Sequence, residues 1–352
     1  FFTSNFHYTI IDAPGHRDFV KNMISGAAQA DVAVLMVPAD GNFISSIASG
    51  KTNGEVKGQT REHARLLNLL GVKQLIVCVN KMDSDLGQYK KERYEEIINE
   101  VKSILVKVGW KKPFIDNRVP MIPISGFRGD NLIEKSTNMP WWTGVDVKIS
   151  PKEKVHVHTM LDALNDMVKM TPKDSTGPLR IPVSGVYKIK GVGDIITGRV
   201  EGGTLKPGME VRFVPTDTSS TACSGKAFSI EMHHKSVPEA HIGHNATIDG
   251  KNLNKANMPK VGDVIVEKSD TTLKQAKTFV AQCQVLDHPG QLKKGYTPIA
   301  IAATGKAPIR ITNILWKQSK KTGNAKVENP EFVETGDLCE LEFTPQAPFV
   351  VQ

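Results

Sequence analysis

The chain has 352 residues, with 45 Lys and Arg against 37 Asp and Glu for a formal charge of +8; that length predicts two or three domains, and the composition excludes wholesale disorder. No apolar stretch approaches the roughly 18 residues of a membrane span, no secretory leader is legible, and four scattered cysteines (Cys78, Cys223, Cys283, Cys339) form no CxxC pair. A membrane-spanning helix is thereby excluded, neither a disulfide scaffold nor a cysteine-rich zinc site is expected, and a reducing cytoplasm is the expected setting.

In chain order, YTIID (8–12), VAVLMV (32–37), LIVCV (75–79) and the weaker MIPIS (121–125) are apolar runs of buried-strand type. Helical patterns lie between them over 18–30, 60–70 and 89–108, the last placing Ile97, Ile98, Val101, Ile104 and Leu105 at helical spacing. Strands alternating with helices predict a doubly wound, mostly parallel sheet: an α/β domain over residues 1–171, with VAVLMV and LIVCV as central strands. The insertion 41–58 is small and polar and reads as a surface loop. A last helix near 160–170 leads into TPKDSTGP (171–178), rich in turn formers and read as a linker. The runs IPVSGVYKI, IITGRV, EVRFV, AFSIEM and DVIVE then predict an all-β barrel over 177–267. After a polar stretch at 268–275, FVAQCQVL, TPIAIAA, IRITNILW and LCELEFT predict a second barrel over 274–352. The chain opens on Phe1 and closes inside an apolar run, so a longer parent protein is expected at both ends.

Three motifs follow three of these strands. DAPGH (Asp12–His16) sits where ligands bind in open α/β sheets, beyond the carboxyl end of a strand. Asp12 could hold a hydrated Mg²⁺, Gly15 could bring a bare backbone N–H to a terminal phosphate, and His16 could orient a water. An Asp-Pro-Gly turn capping a helix uses the same residues. NKMD (Asn80–Asp83) suits guanine: Asp83 can accept from the ring N1–H and the exocyclic amine, Asn80 can contact the N7/O6 edge, and the stem of Lys81 can lie along the base. Such a site rejects the wrong base by roughly 10⁴–10⁵; a capping Asn or Asp after a strand is the plain alternative. Ser125-Gly126-Phe127 offers the Gly126 N–H to guanine O6 and Ser125 as a brace for the Asp83 loop, or is an ordinary Ser-Gly turn. In the order phosphate, base, base support, within one α/β domain, the three make a guanine-nucleotide domain with GTP or GDP and Mg²⁺ as ligands.

The segments TIIDAPGHRDFVKNMISGAAQAD, GQTREHARLLNLLGVKQLIVCVNKMD and VPMIPISGFRGDN resemble the G domain of translational GTPases, and within that class eukaryotic elongation factor 1-alpha. VYKIKGVGDIITGRVEGGTLKPGMEV and LDHPGQLKKGYTPI carry the likeness through the second and third domains. VPTDTSSTACSGKAFSIEMHHKSV and NMPKVGDVIVEK depart from the usual pattern and look more like the divergent elongation-factor-like subfamily. The resemblance implies that Asp12 acts on Mg²⁺ through water, Gly15 senses the γ-phosphate and His16 positions the attacking water on the ribosome. A GxxxxGK[ST] phosphate loop is absent from residues 1–352, since Gly50-Lys51-Thr52 lacks the preceding glycine spacing. In the family that loop lies upstream of this chain's start. The parent protein is thus expected to hydrolyse GTP, and this chain alone to bind nucleotide poorly.

In the second domain the resemblance places Tyr187 and His233 beside the amino-acid side chain of a charged tRNA. It places Thr197 and Asn245 near the terminal adenosine and amino group, while Gly185 and His244 stand where relatives carry acidic residues. Ordinary barrel packing is the other reading of Tyr187 and His233. The remaining histidines lack thiolate or carboxylate partners at zinc spacing, and Trp141-Trp142 reads as a packed loop anchor. The implied function is GTP-dependent delivery of aminoacyl-tRNA to the ribosomal A site, with hydrolysis on codon match and a guanine-nucleotide exchange factor as further partner. The +8 balance suits a phosphate-rich partner; neither DNA nor membrane is expected. The alternatives are a related GTPase for release or ribosome rescue, and a non-hydrolysing RNA- or cytoskeleton-binding module.

Overall fold

The computed structural model describes residues 1–12, 24, 27, 30–48, 58–170, 176–190, 193–232, 235–251, 253–286, 288–319, 323 and 325–351. In chain order the first half builds β1 (Ala33–Pro38), α1 (Phe43–Ile47), α2 (Gln59–Leu69), β2 (Leu75–Asn80), α3 (Lys91–Lys107), α4 (Lys112–Arg118) and β3 (Met121–Pro123). A hairpin of β4 (Val145–Lys148) and β5 (Lys154–Val157) follows, then α5 (Met160–Asp162), which runs into a π-helical turn at Ala163–Met167. Strands β1, β2 and β3 form a parallel sheet in that order, with Leu35 opposite Val77 and Val77 opposite Met121.

Strand β2 is buried throughout Leu75–Val79 because both its faces are covered. Leu75, Val77 and Val79 share a core with Leu67 of α2 and with Ile97, Val101 and Leu105 of α3. Ile76 and Cys78 pack on the other face with Val147, Val157, Leu164 and Met167. Burial on two faces is what an apolar run without alternation requires. The helical spacing of Ile97, Val101, Ile104 and Leu105 buries one face of α3, each side chain contributing about 1.5–3 kcal/mol. A capping box starts α5: Thr159 Oγ1 accepts from the Asp162 N–H, and Asp162 Oδ2 accepts from the Thr159 N–H.

Two expectations fail beside β1. YTIID is not a strand, and Ile10 is 73% exposed. Nor is β1 central: among the described residues it is the sheet edge, with Met36 partly in solvent. A strand exists only where its N–H and C=O groups find a ladder. The Tyr8 N–H instead donates back to Phe1 O at 2.8 Å, and the Tyr8 hydroxyl donates to Leu164 O at 2.5 Å. Ile10 and Ile11 share with Val34 and Met36 the lining of a cavity of about 1370 Å³. The insertion is also not all loop, since buried Phe43 anchors the short helix α1; residues 49–57 lie outside the described residues. Of the helix expected over 18–30, Ile24 and Ala27 are described, and both are helical. The last helix of this half ends at Met167, and of the linker only residues 176–178 are described.

The chain divides into two compact units, Phe1–Pro172 and Lys173–Gln352. In the second, β6 (Ile181–Ile189), β7 (Gly193–Arg199), β8 (Glu210–Val214), β9 (Ser224–Met232), β10 (Lys235–Ser236), β11 (Asn245–Lys251) and β12 (Val264–Glu267) form one sheet. Its order is β10-β9-β11-β7-β6-β12-β8, and β8 pairs back onto β9, closing a barrel around Ile181, Val183, Ile196, Phe213, Ile230 and Ile248. Further on, β13 (Phe279–Gln284), β14 (Leu292–Lys293), β15 (Ile299–Ala302), β16 (Gly305–Gln318), β17 (Lys326–Glu328), β18 (Phe332–Val333) and β19 (Leu338–Pro345) make a half-barrel. Among the described residues the order β13-β19-β16-β15 stays open, with β17 added on β16 and β14–β18 a separate pair. The polar stretch 268–275 is clamped rather than free. Arg180 donates to Asp270 Oδ2 at 2.5 Å and Thr272 Oγ1 at 2.8 Å, and Arg212 donates to the carbonyls of Asp270 and Leu273.

Candidate functional site

Two loops leave the carboxyl ends of β2 and β3 and meet. The parallel ladder continues past the strands, with the Ile124 N–H on Val79 O at 2.8 Å and the Met82 N–H on Ile124 O at 3.2 Å. Asn80 Oδ1 then accepts from the Lys81 N–H at 2.7 Å and from the Gly126 N–H at 2.8 Å. Lys81 takes a left-handed backbone, φ +65°, which turns the chain back beneath Asn80. A Cβ on Gly126 would stand 3.3 Å from Asn80 Oδ1, tighter than normal packing, so a glycine suits the crossing.

The second crossing joins Asp83 to Ser125. The buried Ser125 hydroxyl donates to Asp83 Oδ1 at 2.7 Å and accepts from the Arg128 N–H at 3.0 Å. Among the described residues Ser125 is the donor to Asp83, which leaves Oδ2 for the N–H groups of a base. The Gly126 N–H, expected on guanine O6, is already engaged by Asn80. Among the described residues the unengaged donor beside that edge is therefore the Asn80 amide, Nδ2. Phe127 stands 84% exposed, with the Arg128 guanidinium 5.2 Å from its ring centre.

Residues outside the motifs complete the cluster. Asp40, two residues beyond β1, pairs with Lys81 Nζ at 2.7 Å and also accepts from the Asn42 N–H and side-chain amide. Burial raises the Asp40 carboxyl, but these bonds outweigh it and hold it below its ordinary value. With its amine drawn to Asp40, Lys81 keeps its methylene stem as the part available to a base. Behind the loops, Asp130 accepts from Tyr89, Ser136 and Asn138, and the Asn131 amide donates to Pro123 O. Asp40 carries a faint sequence signal, an acidic residue just past a strand end. Asp130 and Asn131 lie inside VPMIPISGFRGDN, where only the Ser-Gly-Phe portion invites a chemical reading.

On the phosphate side, Asp12 is exposed and lines the same cavity as Lys81 and Gly41. Gly15 and His16 lie outside the described residues. Mg²⁺ keeps several waters and takes one or two carboxylates together with phosphate oxygens. A lone exposed carboxylate on an open wall fits that demand; among the described residues no cluster of three or more His, Cys, Asp or Glu forms a protein cage.

Of the residues expected around a charged tRNA end, Tyr187, Thr197 and Asn245 are described, and they share the outward side of adjacent strands of the closed barrel. Ile196 on β7 and Ala246 and Ile248 on β11 point inward, so Thr197 and Asn245 point outward. A register shift between Val183 and Gly185 on β6 turns Tyr187 outward as well, where it is 56% exposed. Gly185 lies opposite Thr197, and a Cβ there would sit 2.5 Å from the Tyr187 ring and 2.7 Å from Thr197 Oγ1. No side chain, acidic or otherwise, fits at 185 while Tyr187 keeps this position. His233 lies outside the described residues.

Comparison with known proteins agrees with this layout. The family model for the elongation factor Tu GTP-binding domain matches residues 1–170, that for elongation factor Tu domain 2 matches 193–266, and that for the eEF1A C-terminal domain matches 278–352. The chain is 41% identical over 353 residues to elongation factor 1-alpha 1 of Euplotes crassus, covering 100% of this chain and 73% of that protein. It is 40% identical to elongation factor 1-alpha of Tetrahymena pyriformis, covering 100% and 74%. In fold it resembles apo translation elongation factor SelB from Methanococcus maripaludis, with a TM-score of 0.65 at 21% identity over 98% of this chain and 64% of that one. The chain belongs to the elongation factor 1-alpha family of GTP-dependent translation elongation factors, which are GTPases.

Proposed function

We propose that this GTPase delivers aminoacyl-tRNA to the ribosomal A site and hydrolyses GTP on codon match, with a guanine-nucleotide exchange factor resetting it in the cytoplasm. The observation that carries the reading is the double crossing of the β2 and β3 loops: Asn80 on Gly126 and Ser125 on Asp83. It places acceptors and a donor side by side for a guanine edge, the arrangement on which polar discrimination depends. Asn80, Lys81 and Asp83 are the proposed base contacts, with Ser125 bracing the Asp83 loop and Gly126 and Phe127 forming the turn beside the base. Asp12 would act on Mg²⁺ through water, Gly15 on the γ-phosphate and His16 on the attacking water. Tyr187, Thr197, His233 and Asn245 would receive the aminoacyl end, a reading supported by the common outward face of the three that are described. The working domains are proposed as 1–171, 177–267 and 274–352. Membership of the divergent elongation-factor-like subfamily rests on the departing segments of the second domain.

The test is a titration of the complete gene product with aminoacyl-tRNA, in its GTP and GDP forms at one salt concentration. Tight binding of charged tRNA in the GTP form alone is expected. Nucleotide binding without preference for charged tRNA would transfer the assignment to a release or rescue GTPase. No nucleotide binding at all would leave a binding module.

A further inference from the structure

A second tier of side chains stands behind the two base loops. Residues 82–89 fold back on themselves: the Tyr89 N–H donates to Met82 O at 2.8 Å, and the Gly87 N–H to Ser84 Oγ at 3.1 Å. A Cβ on Gly87 would stand 2.6 Å from Met82 O, so the fold-back leaves no room for a side chain there. Gln88 and Tyr89 both adopt left-handed backbone, φ +44° and +55°, a region costly to any residue with a Cβ. Trp141 holds that conformation from outside by donating its indole N–H to Tyr89 O at 2.7 Å. The result is a half-buried tyrosine whose hydroxyl donates to Asp130 Oδ2 at 3.1 Å.

Asp130 belongs to the other loop. It is 8% exposed, and its Oδ1 accepts from Ser136 Oγ at 2.5 Å and Asn138 Nδ2 at 3.0 Å. Its carbonyl accepts from the Ser125 N–H at 3.2 Å. The serine that meets Asp83 is thus anchored by the residue that Tyr89 grips. Direct contacts join the loop tips, and the Tyr89–Asp130 bond joins their bases. Removing it leaves a buried carboxylate oxygen without its donor, which the loops relieve by shifting apart.

We propose that Tyr89 is a positioning residue: through Asp130 it holds the two guanine loops in register, and so sets nucleotide dissociation and the discrimination of guanine from hypoxanthine. The inference rests on the base contacts proposed above. Hypoxanthine lacks the exocyclic amine, so the GDP-to-IDP affinity ratio reports how well Asp83 is placed rather than how stable the domain is.

Displacement of a fluorescent GDP from the complete gene product tests this, with GDP and IDP affinities measured in parallel. Y89F keeps the ring and removes the hydroxyl. Its GDP dissociation should quicken about tenfold, as loss of one hydrogen bond to a charged group implies, and the GDP-to-IDP ratio should contract. Trp141→Phe, which frees the Tyr89 carbonyl, should move both quantities the same way by less. Ile104→Val, a core change on α3, should lower thermal stability and leave the ratio alone. A Y89F protein with the wild-type ratio, whether or not its melting temperature drops, overturns the proposal. A wild type that does not prefer GDP over IDP overturns the guanine-site reading, and the brace with it.

Discussion

The runs YTIID and LIVCV are near-equivalents in sequence, yet one becomes the buried centre of a sheet and the other an exposed segment along a cavity. What separates them is their neighbours. Strand β2 has β1 on one edge, β3 on the other and helices or a hairpin over each face, so every backbone and side-chain group is occupied. Among the described residues, 8–12 join no ladder, and Ile10 and Ile11 face the cavity while Tyr8 packs against the core behind β2. The site divides along the same line. Its base-binding half hangs from β2 and β3 and is held by contacts within the described residues, whereas Asp12 stands on the open wall.

If the base half is self-contained, one side chain should govern base choice. Asp83→Asn replaces one acceptor oxygen by a donor and faces the N–H edge of guanine with an N–H of its own. Guanine affinity should fall about 10³-fold, and xanthosine diphosphate, which presents an oxygen at the same ring position, should gain. Competition of GDP and XDP for the variant checks this; unchanged preference would remove Asp83 from the site.

The two runs themselves can be set against each other. Ile76→Ala empties a fully buried position between β2 and the β4–β5 hairpin, and should cost about 3 kcal/mol. Ile10→Ala trims a 73% exposed side chain and should stay within about 0.5 kcal/mol. Denaturant unfolding of the two variants measures the contrast. Equal losses would mean that residues 8–12 are packed in solution in a way this arrangement does not contain.

Much of this was legible from residue patterns because the signals are local. Uninterrupted apolar runs mark β2, helical spacing marks α3, and Asn80, Asp83 and Ser125 each sit directly after a strand. The exposed fate of YTIID was not legible, since pairing depends on a neighbour far along the chain. Strand β11 was missed because NATIDGK carries Asn, Asp and Gly, all poor strand formers; it is a strand because Ala246 and Ile248 complete the barrel core between β7 and β9. The second tier at Tyr89 and Asp130 was hidden for a related reason. Its members lie 41 residues apart, and neither is a motif position that invites a chemical reading. Strand spacing marked the third domain as a second all-β barrel without revealing how far its sheet closes.

The smallest expected effect comes from the centre of the buried run. Cys78 is fully enclosed in β2, and burial pushes its thiol from 9.0 up to about 12. In the unfolded chain it titrates at its ordinary value, so between those limits the unfolded state loses a proton that the folded state keeps. The stabilisation from holding the thiol neutral is therefore complete below pH 9 and is lost as pH rises toward 12; by pH 10 the loss is on the order of 1 kcal/mol. Thermal unfolding of wild type and Cys78→Ala at pH 8 and pH 10 isolates this contribution. Cys223 and Cys339, also pushed up to about 12, act equally in both proteins. The variant starts lower at pH 8 because it carries a cavity, but it should fall less steeply. Parallel curves would mean that β2 opens to solvent at alkaline pH before the domain unfolds, which would erase the distinction between the two runs that the fold otherwise draws.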